Sequence, residues 1–449
     1  MKALIETFKN IYKIEELRQR ILYTLWILVI YRLGTHISLP GIDASLLADS
    51  ALNRNTQQGI LGILDMFSGG AFSRASIFAL GIMPYISASI VIQLLGIAVP
   101  YFQRLQKEGE SGRKKLNQLT RYLTLVILLL QAPSYLASLH AQLPDAAFVL
   151  KGSFFTVSSV IILTTGTMFV MWLGEKITDK GIGNGISLLI MIGIIARLPF
   201  ATVAEFGARI QSQGGGPVIF LIEIVIMFFI FIISILLVQG TRRIPVQYAK
   251  RIIGNKQYGG VRQYIPLKVN AAGVMPIIFA QAIMLIPITV AGFANAESLT
   301  GFLAAFSNFQ GFWYNFTFGI LIIAFTYFYT AITINPVQMA EEMKKNGGFI
   351  PGVKPGKKTV EFLDTIMSRI TLPGSIFLAI VAILPALAML SGVTSQFAQF
   401  FGGTSLLILI GVVLDTLQQI ESHLLMRHYD GLMKSGRIKG RAGGAASSI

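Results

Sequence analysis

Long apolar segments recur along the whole chain, and they constrain its fold more than any other feature of the sequence. A helix needs about 20 apolar residues to cross a bilayer. Ten windows approach or exceed that length: 21–39, 76–98, 119–139, 153–173, 185–204, 217–239, 270–291, 313–334, 371–390 and 403–423. Only 13% of the residues are charged, against about 25% in soluble domains. We therefore predict an all-α polytopic membrane protein with about ten transmembrane helices.

The Lys and Arg residues are unevenly distributed between alternate loops, and this distribution predicts the orientation. If both termini are cytoplasmic, 31 of the 37 basic residues lie in cytoplasmic segments. Short cytoplasmic loops of membrane proteins carry an excess of Lys and Arg. No cleavable signal peptide is expected, because residues 1–20 form a mixed-charge amphipathic segment and the first apolar run lacks a cleavage motif. The sequence thus predicts a multi-pass protein with both termini in the cytoplasm.

One apolar stretch, Gly59 to Pro100, is not a simple membrane span. Asp65 and the Ser68-Gly69-Gly70 run interrupt its first part, which is too short to cross a bilayer alone. We predict a short half-helix, a hinge near Ser73-Arg74 and then a full span from Ile77 to Val99. Irregular backbone survives at membrane depth only beside protein or a water-filled cavity. This stretch is therefore expected to lie beside a pore or a central site.

Two of the predicted cytoplasmic loops are larger than simple connections. Gly240 to Lys268 carries seven basic residues and no acidic one, whereas Asn335 to Arg369 mixes both charges and contains two Pro-Gly turns. Such loops can serve as topology signals that also attract anionic lipid. They can also form a docking platform for a large acidic partner. Their length and turn residues favour the platform.

Residues that could perform catalysis or bind a metal are scarce. The chain has no cysteine and only four scattered histidines, which excludes disulfides and Cys-ligated metals. No phosphate-binding loop or hydrolase motif is present, so we expect no cofactor, no metal and no enzymatic activity. Ionisable residues inside membranes are functional candidates by default. For Arg32, Asp415 and Glu421 we nevertheless favour snorkelling or interhelical pairing.

Two pairs of isoleucines have helical spacing. Ile82 and Ile86 are four residues apart, as are Ile186 and Ile190, so each pair shares one helix face. Ordinary packing between membrane helices is the simpler interpretation. The alternative is an apolar ring across a pore, which would exclude water and ions by dewetting.

Several sequence blocks resemble the SecY family, the central subunit of the bacterial protein-conducting channel. The block from Phe67 to Ile90 is similar to the second-helix signature of that family almost residue for residue. Further similar blocks are Lys107–Arg113, Gly181–Ser187, Pro266–Asn270 and Phe401–Ile408. They occur in family order between about Arg18 and Arg441.

The resemblance implies a domain organisation. Two inverted five-helix halves, residues 21–204 and 205–423, would surround an hourglass pore. The first half would contain a plug at 59–73, and the second would carry the cytoplasmic loops 240–268 and 335–370. The segment 1–20 would be an amphipathic cytoplasmic N-terminus, and 424–449 a cytoplasmic tail.

The resemblance also implies four groups of functional residues. The pore ring would comprise Ile82, Ile86, Ile186, Ile190, Ile278 and Ile408. The plug would include Leu64, Asp65, Met66, Phe67, Ser68, Gly69 and Gly70. A lateral gate would involve Ser87, Ile90, Gln93, Ile277, Gln281 and Ile286. Docking of a motor or ribosome would use Arg242, Arg243, Lys250, Arg251 and Lys354. Many family members carry arginine at position 354, and lysine keeps the charge without the bidentate fork.

The function implied is a passive pore that passes unfolded secretory proteins across the bacterial cytoplasmic membrane and releases membrane helices sideways. Its partners would be SecE, SecG, the SecA motor, the ribosome, signal-sequence-bearing polypeptides and anionic lipid. An ion-coupled secondary transporter is the alternative, because such proteins also combine broken helices with inverted repeats. A transporter would keep several polar groups near the midplane, and these are scarce here. An intramembrane enzyme would need a catalytic set, which the sequence lacks.

Overall fold

The structure, a computed structural model, describes residues 14–43, 65–143, 147–150, 152–211, 216–248, 251–253, 256–258, 262–281, 283–284 and 310–434. Within these ranges seven helices are long and apolar enough to cross a membrane, or eight if one bent pair forms a single span. The predicted class, a helical polytopic membrane protein, is confirmed. The number of ten spans stays a prediction.

The helices follow the predicted order along the chain. In the first half they are α1 Glu15–Gly34, α2 Met83–Ala98, α3 Pro100–Lys107, α4 Glu110–Gln142, α5 Ser153–Lys180 and α6 Gly185–Gln211. In the second half they are α7 Gly216–Gln239, α8 Phe312–Thr333, α9 Pro336–Lys345, α10 Lys357–Leu390, α11 Ser395–Ala398 and α12 Gly403–Lys434. Residues 275–281 are also helical, in the predicted seventh span.

The second span begins later than predicted. The helix was expected from Ile77, but α2 starts at Met83 and is bent by 99° against α3. The cause is an extended contact outside the helix: Leu39 N donates to Ala75 O at 2.8 Å, and Ile77 N donates to Ile37 O at 3.0 Å. These bonds use the Ala75 carbonyl and the Ile77 N–H, which would otherwise be available for helical hydrogen bonds. The same pairing ends α1 at Gly34 rather than at residue 39.

The half-helix predicted before this point is shorter than expected. Residues 65–67 form a single helical turn and residues 68–82 run through successive turns, so the irregular segment is much longer than a hinge at Ser73-Arg74. Gly69, Gly70 and Gly81 take positive φ angles of 67°, 87° and 55°, a region that glycine enters without steric cost. Residues 59–64 lie outside the described ranges.

The two large loops form a small β-structure that the all-α prediction did not include. Strands β1 Thr241–Tyr248, β4 Arg262–Lys268 and β5 Gly348–Phe349 make an antiparallel sheet in the order β4-β1-β5. A separate pair joins β2 Arg251–Ile253 to β3 Lys256–Tyr258. Register runs from Thr241 opposite Lys268 to Gln247 opposite Arg262, and Gln247 also pairs with Phe349. The sheet therefore links both loops.

The linked loops rest on helices that extend beyond the membrane spans. α10 begins at Lys357, well before the span predicted at 371–390. Its first turns, together with α9, bury the inner face of the sheet. The buried cluster comprises Ile244, Val246, Leu267, Ala340, Met343, Ile350, Leu363 and Met367. We call this assembly, residues 240–268 with 335–370, the basic platform.

Candidate functional site: a central cavity closed by a buried segment

The segment from Asp65 to Gly70 is buried throughout and folds back on itself. Ser73 N donates to Asp65 Oδ1 at 2.8 Å, and the Ser68 hydroxyl donates to Asp65 O at 3.0 Å. Gly70 N donates to the same carbonyl at 2.8 Å. Asp65 thus organises a compact, buried turn. Leu64, the first predicted plug residue, lies outside the described ranges.

Arginines from two helices hold this segment. Arg197 of α6 forms an ion pair with Asp65, whose side chain is 1% exposed. Arg32 Nη1 of α1 donates to Gly69 O at 2.8 Å. Within the described ranges Arg32 forms no ion pair with another helix, and its guanidinium binds the backbone of the segment instead.

The opposite side of the segment packs on the apolar centre of the molecule. Met66 and Phe67 are 1% and 4% exposed and belong to one cluster with Ile82, Ile190 and Ile408. The backbone approaches α6 closely at Gly69, where a Cβ atom would lie 3.0 Å from Gly193 Cα. Any larger residue there would push the segment away from α6.

Five of the six ring isoleucines line one cavity of about 780 Å³. They are Ile86 of α2, Ile186 and Ile190 of α6, Ile408 of α12 and Ile278. Ile82 is 4% exposed and packs with Ile190 and Ile408 in the cluster that holds Met66 and Phe67. The helical spacing could not show that these residues from separate helices meet. Their role as a seal stays a prediction.

The same cavity has a polar part, formed by side chains near the predicted cytoplasmic ends of the helices. Its lining there includes Asn184, Gln239, Lys268, Asp415 and Glu421. Among the residues that the structure describes, neither Asp415 nor Glu421 forms an ion pair, so their predicted interhelical pairing is not found. The cavity therefore joins a polar, solvent-compatible part to an apolar one.

The predicted lateral-gate residues divide into two groups. Ile90 and Gln93 of α2 line the central cavity together with Met275 and Ile278, and Ser87 is half-buried on α2. Ile277 is instead fully buried in a cluster with Met284, Tyr314 and Leu378 of the second half. Gln281 lines a separate small cavity beside Tyr314 and Pro385. Ile286 lies outside the described ranges.

Three of the predicted docking residues lie on described parts of the basic platform. Arg242 and Arg243 are exposed on β1, and Lys354 is exposed at a loop tip between Gly352 and Gly356, which have φ angles of 83° and 101°. Arg251 lies in β2, but its side chain and all of Lys250 are outside the described parts.

A buried ionic cluster escaped the sequence analysis. Arg209 of α6 pairs with Glu205 at 2.9 Å and with Glu223 of α7. Glu205 also accepts hydrogen bonds from Thr394 N at 2.8 Å and from the Thr394 hydroxyl. The cluster ties the two helices at the junction of the halves to the segment before α11. Two signals were available: the i,i+4 spacing of Glu205 and Arg209, and a lone carboxylate in the apolar α7.

The described parts of the chain contain no group of three His, Cys, Asp or Glu residues that could hold a metal ion. The cavity contributes shape, an apolar lining and polar side chains at one end.

Comparisons with known proteins agree along nearly the whole chain. The sequence profile of the SecY family matches residues 76–417. The protein translocase subunit SecY of Streptomyces galbus is 42% identical over 449 residues, covering 96% of this chain and 100% of the relative. That of Thermotoga maritima is 42% identical over 444 residues, covering 97% and 99%.

Solved structures are similar at the level of the fold. A protein-conducting channel aligns with a TM-score of 0.62 at 17% identity, covering 90% of this chain and 92% of that chain. Sec61 in a canine ribosome–channel complex aligns with a TM-score of 0.58 at 16% identity, with the same coverage. At these identities the structural likeness establishes a shared architecture.

Proposed function

The chain belongs to the SecY family, and from this premise we propose that it is the pore-forming subunit of a bacterial protein-conducting channel. It passes unfolded secretory proteins across the cytoplasmic membrane and releases membrane helices sideways into lipid. The observation that carries this function is the central cavity: isoleucines from four separate helical segments face it, and a buried plug packs beside them. The plug is the segment 59–73, of which residues 65–73 are described.

The pore ring works as a seal in this proposal. An apolar constriction excludes water and ions by dewetting, and it offers no specific polar contact to a passing side chain. Ile82, Ile86, Ile186, Ile190, Ile278 and Ile408 would therefore surround the translocating chain. In the resting state Met66 and Phe67 pack on this apolar centre, which supports a closed channel.

The lateral gate opens between α2 and the helix that begins at residue 275. Ile90 and Gln93 face the cavity from one side, and Met275 and Ile278 face it from the other. Ser87, Ile277, Gln281 and Ile286 would support the two helices. Because Ile277 and Gln281 pack into the second half, this helix would move with that half.

The basic platform faces the cytoplasm and docks the machine that supplies the substrate. Arg242, Arg243, Lys250, Arg251 and Lys354 would contact the SecA motor or the ribosome, with SecE and SecG as small membrane subunits and anionic lipid around the complex. One structurally similar protein, Sec61, was solved in a ribosome–channel complex, which supports the ribosome as a partner. Both termini would lie in the cytoplasm, in agreement with the charge distribution.

The two other function classes have little support. Membership of a family of translocase subunits contradicts the alternative of an ion-coupled transporter. Enzymatic activity is not proposed, because the cavity combines isoleucines with scattered polar side chains. The energy for transport would come from a docked partner or from a growing chain.

The function is tested with the full chain reconstituted into proteoliposomes together with its small membrane subunits and the motor. A precursor bearing a signal sequence should become protected from added protease when ATP is supplied. Proteoliposomes that lack only this chain are the control. Protection at the same level without the chain, or protection that depends on an ion gradient instead of the motor, would exclude the proposed channel.

Docking is tested by charge reversal on the basic platform. R243E/K354E should reduce motor-driven export several-fold, because the platform would then repel an acidic partner. Channel abundance in the membrane should not change. The matched control is K114E/K115E, which reverses two exposed charges in the first turns of α4, outside the basic platform. Equal export by both double variants would remove the docking role.

A further inference from the structure

A second cavity lies outside the central one, at the base of the basic platform. It is an open groove of about 1200 Å³ between the beginning of β1, the loop tip and the first turns of α10. Its lining is Thr241, Arg242, Val269, Gly352, Val353, Lys354, Lys358, Glu361, Phe362, Thr365, Ile366, Arg369, Ile370 and Pro373. We call it the basic groove.

Backbone packing sets the depth of the groove. Val269 lies against α10 at Gly374, where a Cβ atom would come within 2.9 Å of Val269 O. Val269 N also donates to Gly240 O at 2.9 Å. Arg242, two residues beyond Gly240, therefore lies close to the level of Arg369, about one turn before Gly374 on α10. Both arginines lie near the cytoplasmic end of the span predicted at 371–390.

Strand alternation separates Arg242 from its neighbour Arg243. Side chains at positions 242, 244 and 246 share one face of β1. Ile244 and Val246 on that face are buried against α9 and α10, so Arg242 lies on the α10 side of the strand. Arg243 lies on the opposite face, so a ligand bound by Arg242 would narrow the proposed docking set to Arg243 and the other basic residues of the platform.

The groove carries an excess of positive charge. Its ionisable lining residues are Arg242, Lys354, Lys358, Arg369 and a single acid, Glu361. Lys358 and Glu361 pair with each other at 2.8 Å. Within the described ranges no ion pair involves Arg242, Lys354 or Arg369. Three uncompensated cations therefore converge on one space.

An apolar stripe continues from the groove toward the membrane. Arg369, Pro373, Ile376 and Ile380 recur at helical spacing on one side of α10. Ile376 and Ile380 are 44% and 52% exposed, and Phe362 is 36% exposed inside the groove. A ligand that fits both parts must combine an anionic head with an apolar tail.

We infer that the basic groove binds one anionic phospholipid from the cytoplasmic leaflet. Its phosphate lies between Arg242 and Arg369, because guanidinium groups match phosphate oxygens in bidentate geometry. Its acyl chains run along Pro373, Ile376 and Ile380 of α10. Basic pockets at the cytoplasmic ends of membrane helices commonly hold such headgroups. This assignment rests on the proposed orientation, with the basic platform in the cytoplasm.

The test uses the full chain in nanodiscs of phosphatidylcholine with a minor fraction of photoreactive phosphatidylglycerol. Labelled lipid should crosslink to residues 362–380, and R242Q/R369Q should lower this crosslink about tenfold. The control K344Q/K345Q removes two exposed charges from α9, outside the groove, and should retain the crosslink. Inorganic phosphate at physiological concentration should not displace the lipid.

The possible results separate the lipid from other occupants. Equal crosslinking in both double variants would overturn the site. Displacement of the lipid by inorganic phosphate would identify a site for free anions and overturn the lipid assignment. Loss of the crosslink when the small membrane subunits are added would show that protein covers the groove, which would also overturn it. The crosslink is measured without transport, so it does not depend on export activity.

Discussion

Asp65 links the proposed plug to α6 and organises its backbone. Its carboxylate pairs with Arg197 and accepts a hydrogen bond from Ser73 N, while its carbonyl accepts from Ser68 and Gly70. A buried charge that loses its partner is costly, so the pair favours the state in which plug and α6 are together. Any state with the plug displaced must separate the two charges.

The first prediction concerns this ion pair. D65N keeps the acceptor for Ser73 N but loses the attraction to Arg197. Plug displacement should become roughly ten- to a hundredfold easier, as expected for a lost charged hydrogen bond of about 1.5–3 kcal/mol. Protease cleavage at a site engineered into the plug would measure this. R197Q should have a larger effect, because it leaves the buried carboxylate without its cation.

The matched control for Asp65 is D415N, which makes the same chemical change on α12 at the wall of the central cavity. It should leave plug cleavage unchanged. The double variant D65N/R197Q should be less affected than R197Q alone, since it removes both charges. Cleavage at the same rate in D65N and in the unmodified chain would show that the pair does not hold the plug.

Ion pairs between residues that are distant in sequence could not be predicted from the sequence. Asp65 and Arg197 are both visible in the sequence, and Arg197 lies inside the span predicted at 185–204, whereas Arg209 lies beyond its end. α6 in fact continues to Gln211, which places Arg197 and Arg209 on a helix. Their partners are 132 positions earlier for Arg197 and 14 positions later for Arg209. No local pattern encodes these two pairings, whereas the i,i+4 pair of Glu205 and Arg209 could have been predicted from spacing.

At the scale of elements, four separate helical segments contribute isoleucines to the apolar centre, and none of these helices is distinctive in sequence by itself. α2 contributes Ile86, α6 contributes Ile186 and Ile190, α12 contributes Ile408, and the helix after β4 contributes Ile278. Helical periodicity predicted most of these helices. It could not predict the late start of α2, which depends on pairing between residues 37–39 and 75–77.

The second element-scale result is the basic platform. Charge and turn residues predicted a docking surface in two loops, and Gly352 and Gly356 do take the positive φ angles of tight turns. The strands were not predicted, because β1 and β5 are separated by about a hundred residues and pair only in the folded chain. The extension of α10 into the platform was also not predicted. The residues from Lys357 to the predicted start of the span at 371 are largely polar, so the sequence favoured a loop there.

A prediction at this scale concerns the ring as a unit. Replacing Ile82, Ile86 and Ile278 together by asparagine should raise ion conductance through the resting channel several-fold, because the polar amides would hydrate the constriction. Single-channel recording in planar bilayers measures it. The control replaces the same three residues by valine, which keeps the surface apolar. Equal conductance in the two triple variants would remove the proposed seal.

At the scale of the whole molecule, apolar segments and charge asymmetry predicted a polytopic helical protein. The family resemblance added the expected function, a protein-conducting channel. The segment from Gly59 to Pro100 was expected beside a cavity because its backbone is broken at membrane depth. The described part of that segment does pack against the central cavity. Composition alone could not identify what passes through, since an apolar lining is compatible with many cargoes.

The central claim is that a polypeptide passes through the ring, and site-specific crosslinking of a stalled secretory chain tests it most directly. A photoreactive residue at position 82 or 278 should crosslink to the stalled chain. The same probe at the exposed Phe228 or Leu236 of α7 should crosslink mainly to lipid. Crosslinks confined to the exposed face of α7, with none at 82 or 278, would contradict a central pore.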